Sequence, residues 1–146
     1  MAADGRLFLR AGAEIAVAAT KSYCSQLLAL WLLAKAAEGS GGEEDSVASL
    51  IAACKSALAL PLPSLRRERE KLFFIGKGLD LVTAKEGALK FKEVTCRTAE
   101  AYAASELKHG PIALADSESA AVAVVTDAAS AVRLRAAVSE LRARGT

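Results

Sequence analysis

The stretch that decides the fold is KLFFIGKGLDLVTAKEGALKFKEVT, residues 71–95. It reads as strand, glycine-rich turn, helix. Leu72 to Ile75 form a continuous apolar run of the kind found in a parallel strand covered on both faces. Gly76-Lys77-Gly78 turns the chain, and a helix is expected from Leu81 to Val94 with Leu81, Ala84, Ala88 and Phe91 on its inner side. Downstream, AAVAVVT at 120–126 reads as a second buried strand. DAASAVRLRAAVSELRARG then closes with an amphipathic helix, Val132, Ala136 and Leu141 marking its inner face and Gly145 its end. Strand, helix, strand, helix is the pattern of a parallel α/β unit. Two strands alone do not make a stable open sheet, so both neighbours are expected from elsewhere. The segment between the helix and the second strand, which includes AEAYAASELKHGP at 99–111, reads as irregular.

Upstream the pattern is different. Arg6 to Leu9 read as a short strand ended by Gly12, and residues 13–37 as one long helix. That helix is apolar nearly all round from Leu27 to Leu33, so much of it is expected to be buried between other elements of a larger assembly. Asp45-Ser46 cap a second helix to about Leu58. Pro61 and Pro63 break the chain, Ser64 caps a short charged helix, and a domain boundary falls in this stretch.

Composition narrows the function. The 146 residues are 53% hydrophobic and 25% charged, as in a globular domain. Nineteen basic and 17 acidic residues are scattered through both halves, which argues against a nucleic-acid partner. The longest apolar run, QLLALWLLAKAA, is cut by Lys35 short of the roughly 20 residues a membrane span needs. No secretory signal is visible, and three cysteines without CxxC spacing speak against a disulfide framework or a zinc site. The expected compartment is therefore the cytoplasm, with Cys24, Cys54 and Cys96 as small buried hydrophobes.

Two features can carry chemistry. Glu86, Lys90 and Glu93 fall at i, i+4 and i+7 and make one polar stripe, which is also what a solvated helix face with an ion pair looks like. His109 is the chain's one histidine, between Lys108 and Gly110-Pro111. An imidazole transfers protons near neutral pH, and beside a carboxylate stripe it suits proton movement at a carbonyl centre. Gly76 and Gly78 flank a turn that opens a helix, where backbone N–H groups can meet an anion, but the spacing fits no dinucleotide fingerprint.

Residues 73–114, FFIGKGLDLVTAKEGALKFKEVTCRTAEAYAASELKHGPIAL, closely resemble the isomerase half of the isomerising glucosamine-fructose-6-phosphate aminotransferases, which contain two sugar isomerase (SIS) domains. Residues 3–33 resemble the end of the first of those domains. The resemblance implies a partial SIS-type three-layer α/β fold with a parallel sheet, preceded by a long helix from a neighbouring SIS domain. Residues 1–38 would be the C-terminal part of the first SIS domain, 39–70 a helical linker and 71–146 the N-terminal part of the second. The implied activity is conversion of fructose 6-phosphate to glucosamine 6-phosphate in a homodimer, without cofactor or metal. Carried over by position, Glu93 matches the glutamate that moves a proton between the first two sugar carbons, Lys90 the lysine that assists it, and His109 the ring-opening histidine, given by the neighbouring subunit. Val17 falls where the family contacts substrate through the backbone. Ala19 stands where the family's VAST pattern has serine. The glutaminase domain, the serine- and threonine-rich phosphate loop and the tail lysine have no counterpart, so a fragment inactive on its own is expected. A non-catalytic phosphosugar-binding or regulatory SIS module is the alternative.

Overall fold

The computed structural model describes residues 5–39, 43–61 and 69–146. The chain divides into two compact units, Met1–Pro63 and Ser64–Thr146. The expected cap at Ser64 and its short charged helix lie outside the described residues.

The second unit is built on strand β1, Lys71–Gly76, at the centre of a three-stranded parallel sheet. One neighbour is β2, Thr98–Ala103, in register from Lys71 against Thr98 to Gly76 against Ala103. The other is β3, Ser119–Ala123, with Lys71 opposite Ser119 and Ile75 opposite Ala123. β2 lies inside the stretch expected to be irregular, so one missing neighbour of the sheet comes from this chain itself. Helix α3, Leu79–Thr95, connects β1 to β2, and α4, Ala128–Ala143, follows β3.

Alternation along β1 sends its side chains into two cores. Leu72 packs with Ala88 and Ala99, flanked by Phe74, Phe91 and Val122, on the face that α3 covers. Phe73 and Ile75 pack with Leu107, Leu134, Ala137 and Leu141 on the face that α4 covers. The inner side of α4 is thus Ser130, Leu134, Ala137 and Leu141, while Val132 and Ala136 are exposed. Helix phase is set by Asp127, the N-cap, whose carboxylate accepts from Ser130 N–H at 2.6 Å and starts the helix where residues 130, 134, 137 and 141 face the sheet.

The turn after β1 needs its glycines. A Cβ on Gly76 would stand 2.6 Å from the backbone of Asp80 and Leu81, and Gly78 has φ +60°.

In the first unit, α1 runs Lys21–Glu38 and α2 Glu43–Leu58. Residues 6–9 form no strand, since no described strand pairs with them, and Leu7 and Phe8 are exposed. α1 begins eight residues later than its composition indicates. The Glu14 carboxylate folds over its first turn, accepting from both the N–H (3.0 Å) and the hydroxyl of Ser22. Residues 13–20 are thereby spent as an irregular capping segment. Within this chain α1 contains no fully buried residue, and Leu30 is 63% exposed. All three cysteines are exposed rather than buried. Cys96 closes α3 in the left-handed region at φ +55°.

Candidate functional site

The polar stripe of α3 is a linked cluster. Lys90 Nζ lies 2.7 Å from Glu93 Oε2 and 3.5 Å from Glu86 Oε1. All three side chains are half-buried on the helix flank, with Ala84 and Ala88 turned the other way into the core. The hydrogen bond to Glu93 holds the Lys90 ammonium above the ordinary lysine range, against the burial that lowers it. A cation so fixed keeps its proton and can stabilise negative charge on an oxygen, while Glu93 beside it is a carboxylate able to take a proton from carbon.

His109 is positioned by different elements. Leu107 is fully buried in the α4-side core and anchors a 3₁₀ turn, Leu107–His109. His109 N–H donates to Glu106 C=O at 3.0 Å, and Gly110 at φ +135° turns the chain into the next 3₁₀ segment, Pro111–Leu114. Lys108 Nζ reaches Glu140 of α4 at 2.6 Å and ties the turn to that helix. The imidazole itself is exposed.

The fold does not bring Glu93 and His109 together. α3 runs antiparallel to the strands, from the carboxyl end of β1 to the start of β2, so Glu93 sits in its last turn at the amino ends of the strands. His109 follows the carboxyl end of β2. With a rise of about 1.5 Å per residue, the 14 residues from Leu79 to Glu93 carry the carboxylate about 20 Å along the helix axis away from the glycine turn. The stripe and Gly76-Lys77-Gly78 are therefore not one site either.

Val17 and Ala19 belong to the first unit, in the irregular segment before α1. Val17 is 86% exposed, Ala18 is buried and Ala19 is half-buried. Among the described residues no group of His, Cys, Asp or Glu could hold a metal ion, and no helix is long and apolar enough to cross a membrane.

Asp80 went unnoticed in the sequence. It is 2% exposed in the first turn of α3, and its Oδ1 accepts from Thr126 Oγ1 at 2.6 Å, joining the turn after β1 to the loop after β3. Oδ2 has no partner among the described residues. The signal was an acidic residue in the first helical turn just after a Gly-x-Gly turn, which reads equally well as a surface residue favoured by the helix dipole.

An open parallel sheet with central β1, an acid–lysine–acid cluster on α3 and an ordered histidine turn after β2 defines the class of domain. The chain belongs to the SIS domain family, whose match covers residues 64–146. It is similar to the glutamine–fructose-6-phosphate aminotransferase (isomerizing) of Methanothermobacter thermautotrophicus, 38% identical over 155 residues that cover 95% of this chain and 24% of that protein. The enzyme of the same name from Bacillus subtilis is 39% identical over 155 residues, covering 98% of this chain and 26% of that protein. In structure it is similar to the C-terminal domain of glucosamine-fructose-6-phosphate aminotransferase from Francisella tularensis, with TM-score 0.69, 35% identity, and coverage of 93% of this chain and 42% of that one. The chain spans about a quarter of the length of the curated relatives it matches.

Proposed function

We propose that this chain is a phosphosugar-handling SIS region that serves the conversion of fructose 6-phosphate to glucosamine 6-phosphate in a cytoplasmic homodimer. The Lys90 clamp between Glu86 and Glu93 on α3 is the observation that carries the reading. In it, Glu93 takes the proton from sugar C1 and returns it at C2, and Lys90 steadies the charge that gathers on oxygen while the proton is in transit. His109 opens the sugar ring in the site of the other subunit. The separation of about 20 Å along α3 supports that division, since one chain's histidine cannot serve its own Glu93 without refolding. Val17 offers backbone contact to the sugar, and Ala19 contributes no hydroxyl. By family layout, residues 1–38 close a first SIS domain, 39–70 link, and 71–146 open a second.

A second reading is a phosphosugar-binding module without catalysis, favoured by Ala19 in the VAST position. Calorimetric titration with fructose 6-phosphate and glucosamine 6-phosphate separates the readings when combined with Glu93→Gln. Saturable binding of either sugar supports phosphosugar handling. In a full-length aminotransferase carrying this segment, Glu93→Gln is expected to lower turnover by about 10²–10⁴-fold while leaving binding intact. Unchanged turnover leaves the binding module standing, and no heat with either sugar removes both.

A further inference from the structure

The His109 imidazole is exposed and makes no hydrogen bond among the described residues, so its direction is set by the turn that carries it. Upstream, Ala104 N–H donates to Gly76 C=O at 3.0 Å, and Leu107 sits among Leu134, Ala137 and Leu141 of α4. Downstream, Ile112 packs against the same core, but only after the bend at Gly110. A 3₁₀ helix has three residues per turn, so side chains 107, 108 and 109 leave it about 120° apart. One buried leucine pins such a turn to the core and leaves it free to roll about that attachment. A second attachment, away from the direction of the leucine, stops the roll. Among the described residues, the ion pair of Lys108 Nζ with Glu140 Oε1 at 2.6 Å is the one side-chain bond that ties residues 104–113 to another element.

We infer that Glu140 of α4 is a positioning residue for His109: by holding Lys108 against α4 it fixes the roll of the turn and so the direction of the imidazole. The inference rests on the ring-opening role proposed above for His109. Glu140 stands in the last turn of α4, beside buried Leu141 and one turn from buried Ala137, so its carboxylate is mounted on a face that the core holds still. A carboxylate near the carboxyl end of a helix is opposed by the macrodipole, and a residue chosen for the helix itself would be basic there, as Arg142 is. Glu140 therefore answers to a partner outside its helix, and that partner is Lys108. The two side chains are 34% and 55% exposed, so the pair adds little to stability and its effect is directional. In ring opening the C2–O5 bond of the sugar breaks, the C2 hydroxyl gives up its proton to leave the ketone, and O5 takes a proton from the imidazole. That transfer needs the donor nitrogen within hydrogen-bond reach of O5, and a misplacement of about 1 Å can cost about 10²-fold in rate.

The test uses a full-length aminotransferase carrying this segment and two substrates, fructose 6-phosphate and 5-deoxyfructose 6-phosphate, which lacks the hydroxyl that closes the ring. Glu140→Gln should lower kcat on fructose 6-phosphate about tenfold with KM little changed, and leave both kcat on the 5-deoxy sugar and the melting temperature where they were. In a His109→Asn background the same change should cost nothing further, because no imidazole remains to be aimed. Exchanging the charges, Lys108→Glu together with Glu140→Lys, should restore most of the loss. An equal loss on both substrates, or a full additional loss in the His109→Asn background, would mean that Glu140 acts on stability or on another part of the site and would overturn the inference, as would no loss at all. His109→Asn alone separates the two possible failures. If it slows the cyclic sugar selectively while Glu140→Gln is inert, the positioning role falls and ring opening by His109 stands. If it slows both sugars equally, the ring-opening role falls and the positioning role falls with it.

Discussion

α1 and α3 are nearly equal in length, and the more apolar of the two is the less buried. α3 carries Lys85, Glu86, Lys90, Lys92 and Glu93, yet seats Asp80, Ala84 and Ala88 in the interior. α1, with LLALWLLA at its centre, has no fully buried residue within this chain. The difference lies in what each helix follows. α3 leaves a central strand through a glycine turn and returns to pair the next strand, so the sheet dictates its inner face. α1 follows a capping loop, and among the described residues its own unit contains no strand. Apolar content alone measures how much surface a helix has to bury, and connectivity decides where that burial can occur.

The largest effect expected to sharpen this contrast is catalytic. In a full-length aminotransferase carrying these residues, Glu93→Gln on α3 should lower turnover by about 10²–10⁴-fold with KM little changed, the signature of a lost proton acceptor. Val17→Ala in the segment before α1 should leave turnover within a few-fold, since the contact proposed for Val17 is made by its backbone. Steady-state kinetics of the two variants side by side checks the difference, and comparable losses would erase it.

Next is stability. Leu134 is 1% exposed and fills the core beneath β1, so Leu134→Ala should cost about 2–5 kcal/mol. Leu30→Ala on α1 should stay within about 0.5 kcal/mol in the isolated chain. Urea melts that rank these two in the opposite order would show that α1 is the structural centre of this chain.

The smallest effect compares two helix caps. Backbone and hydroxyl bonds from Ser130 hold the Asp127 carboxyl below its ordinary range, and the hydroxyl and N–H of Ser22 do the same for Glu14. A group with a lowered folded-state pKa stabilises the fold above its unfolded value, near pH ~4, and that contribution disappears as pH falls through the lower folded value. Asp127→Ala should destabilise the fold at neutral pH and progressively less as the pH falls below the ordinary aspartate range. Glu14→Ala should show the same sign with a smaller amplitude, because α1 has no core to lose with its cap. Thermal melts across pH 2–7 would expose a contribution that instead grows on acidification.

How far these contrasts were legible in the sequence follows the strength of local signals. β1 and α3 were readable within two residues, because FFI between a lysine and a Gly-x-Gly turn, and an alanine stripe opposite a charged one, each allow a single period. β2 was not. In TAEAYA, alanines alternate with Thr98, Glu100 and Tyr102, so the buried side is small and the hydrophobic signal is weak. The strand exists because β1 supplies a register for it. The inner face of α4 was misread for a related reason: alanines lie all round the helix, and the N-cap at Asp127 sets the phase. Of the candidate site, the lysine with its two carboxylates could be read from spacing alone. The distance between Glu93 and His109 could not, since it depends on the unrecognised β2 that carries the chain to the far end of the sheet.

That distance is where the account is most exposed. If His109 acts in the partner's site, an enzyme with Glu93→Gln and an enzyme with His109→Asn, each inactive alone, should complement on mixing. With random subunit exchange in a two-fold dimer, half the dimers are mixed and each holds one intact pair, so about a quarter of all sites should recover. Activity near that fraction after exchange, verified by native mass spectrometry, is the predicted result. No recovery in verified mixed dimers would contradict the assignment by placing both residues in one subunit's site.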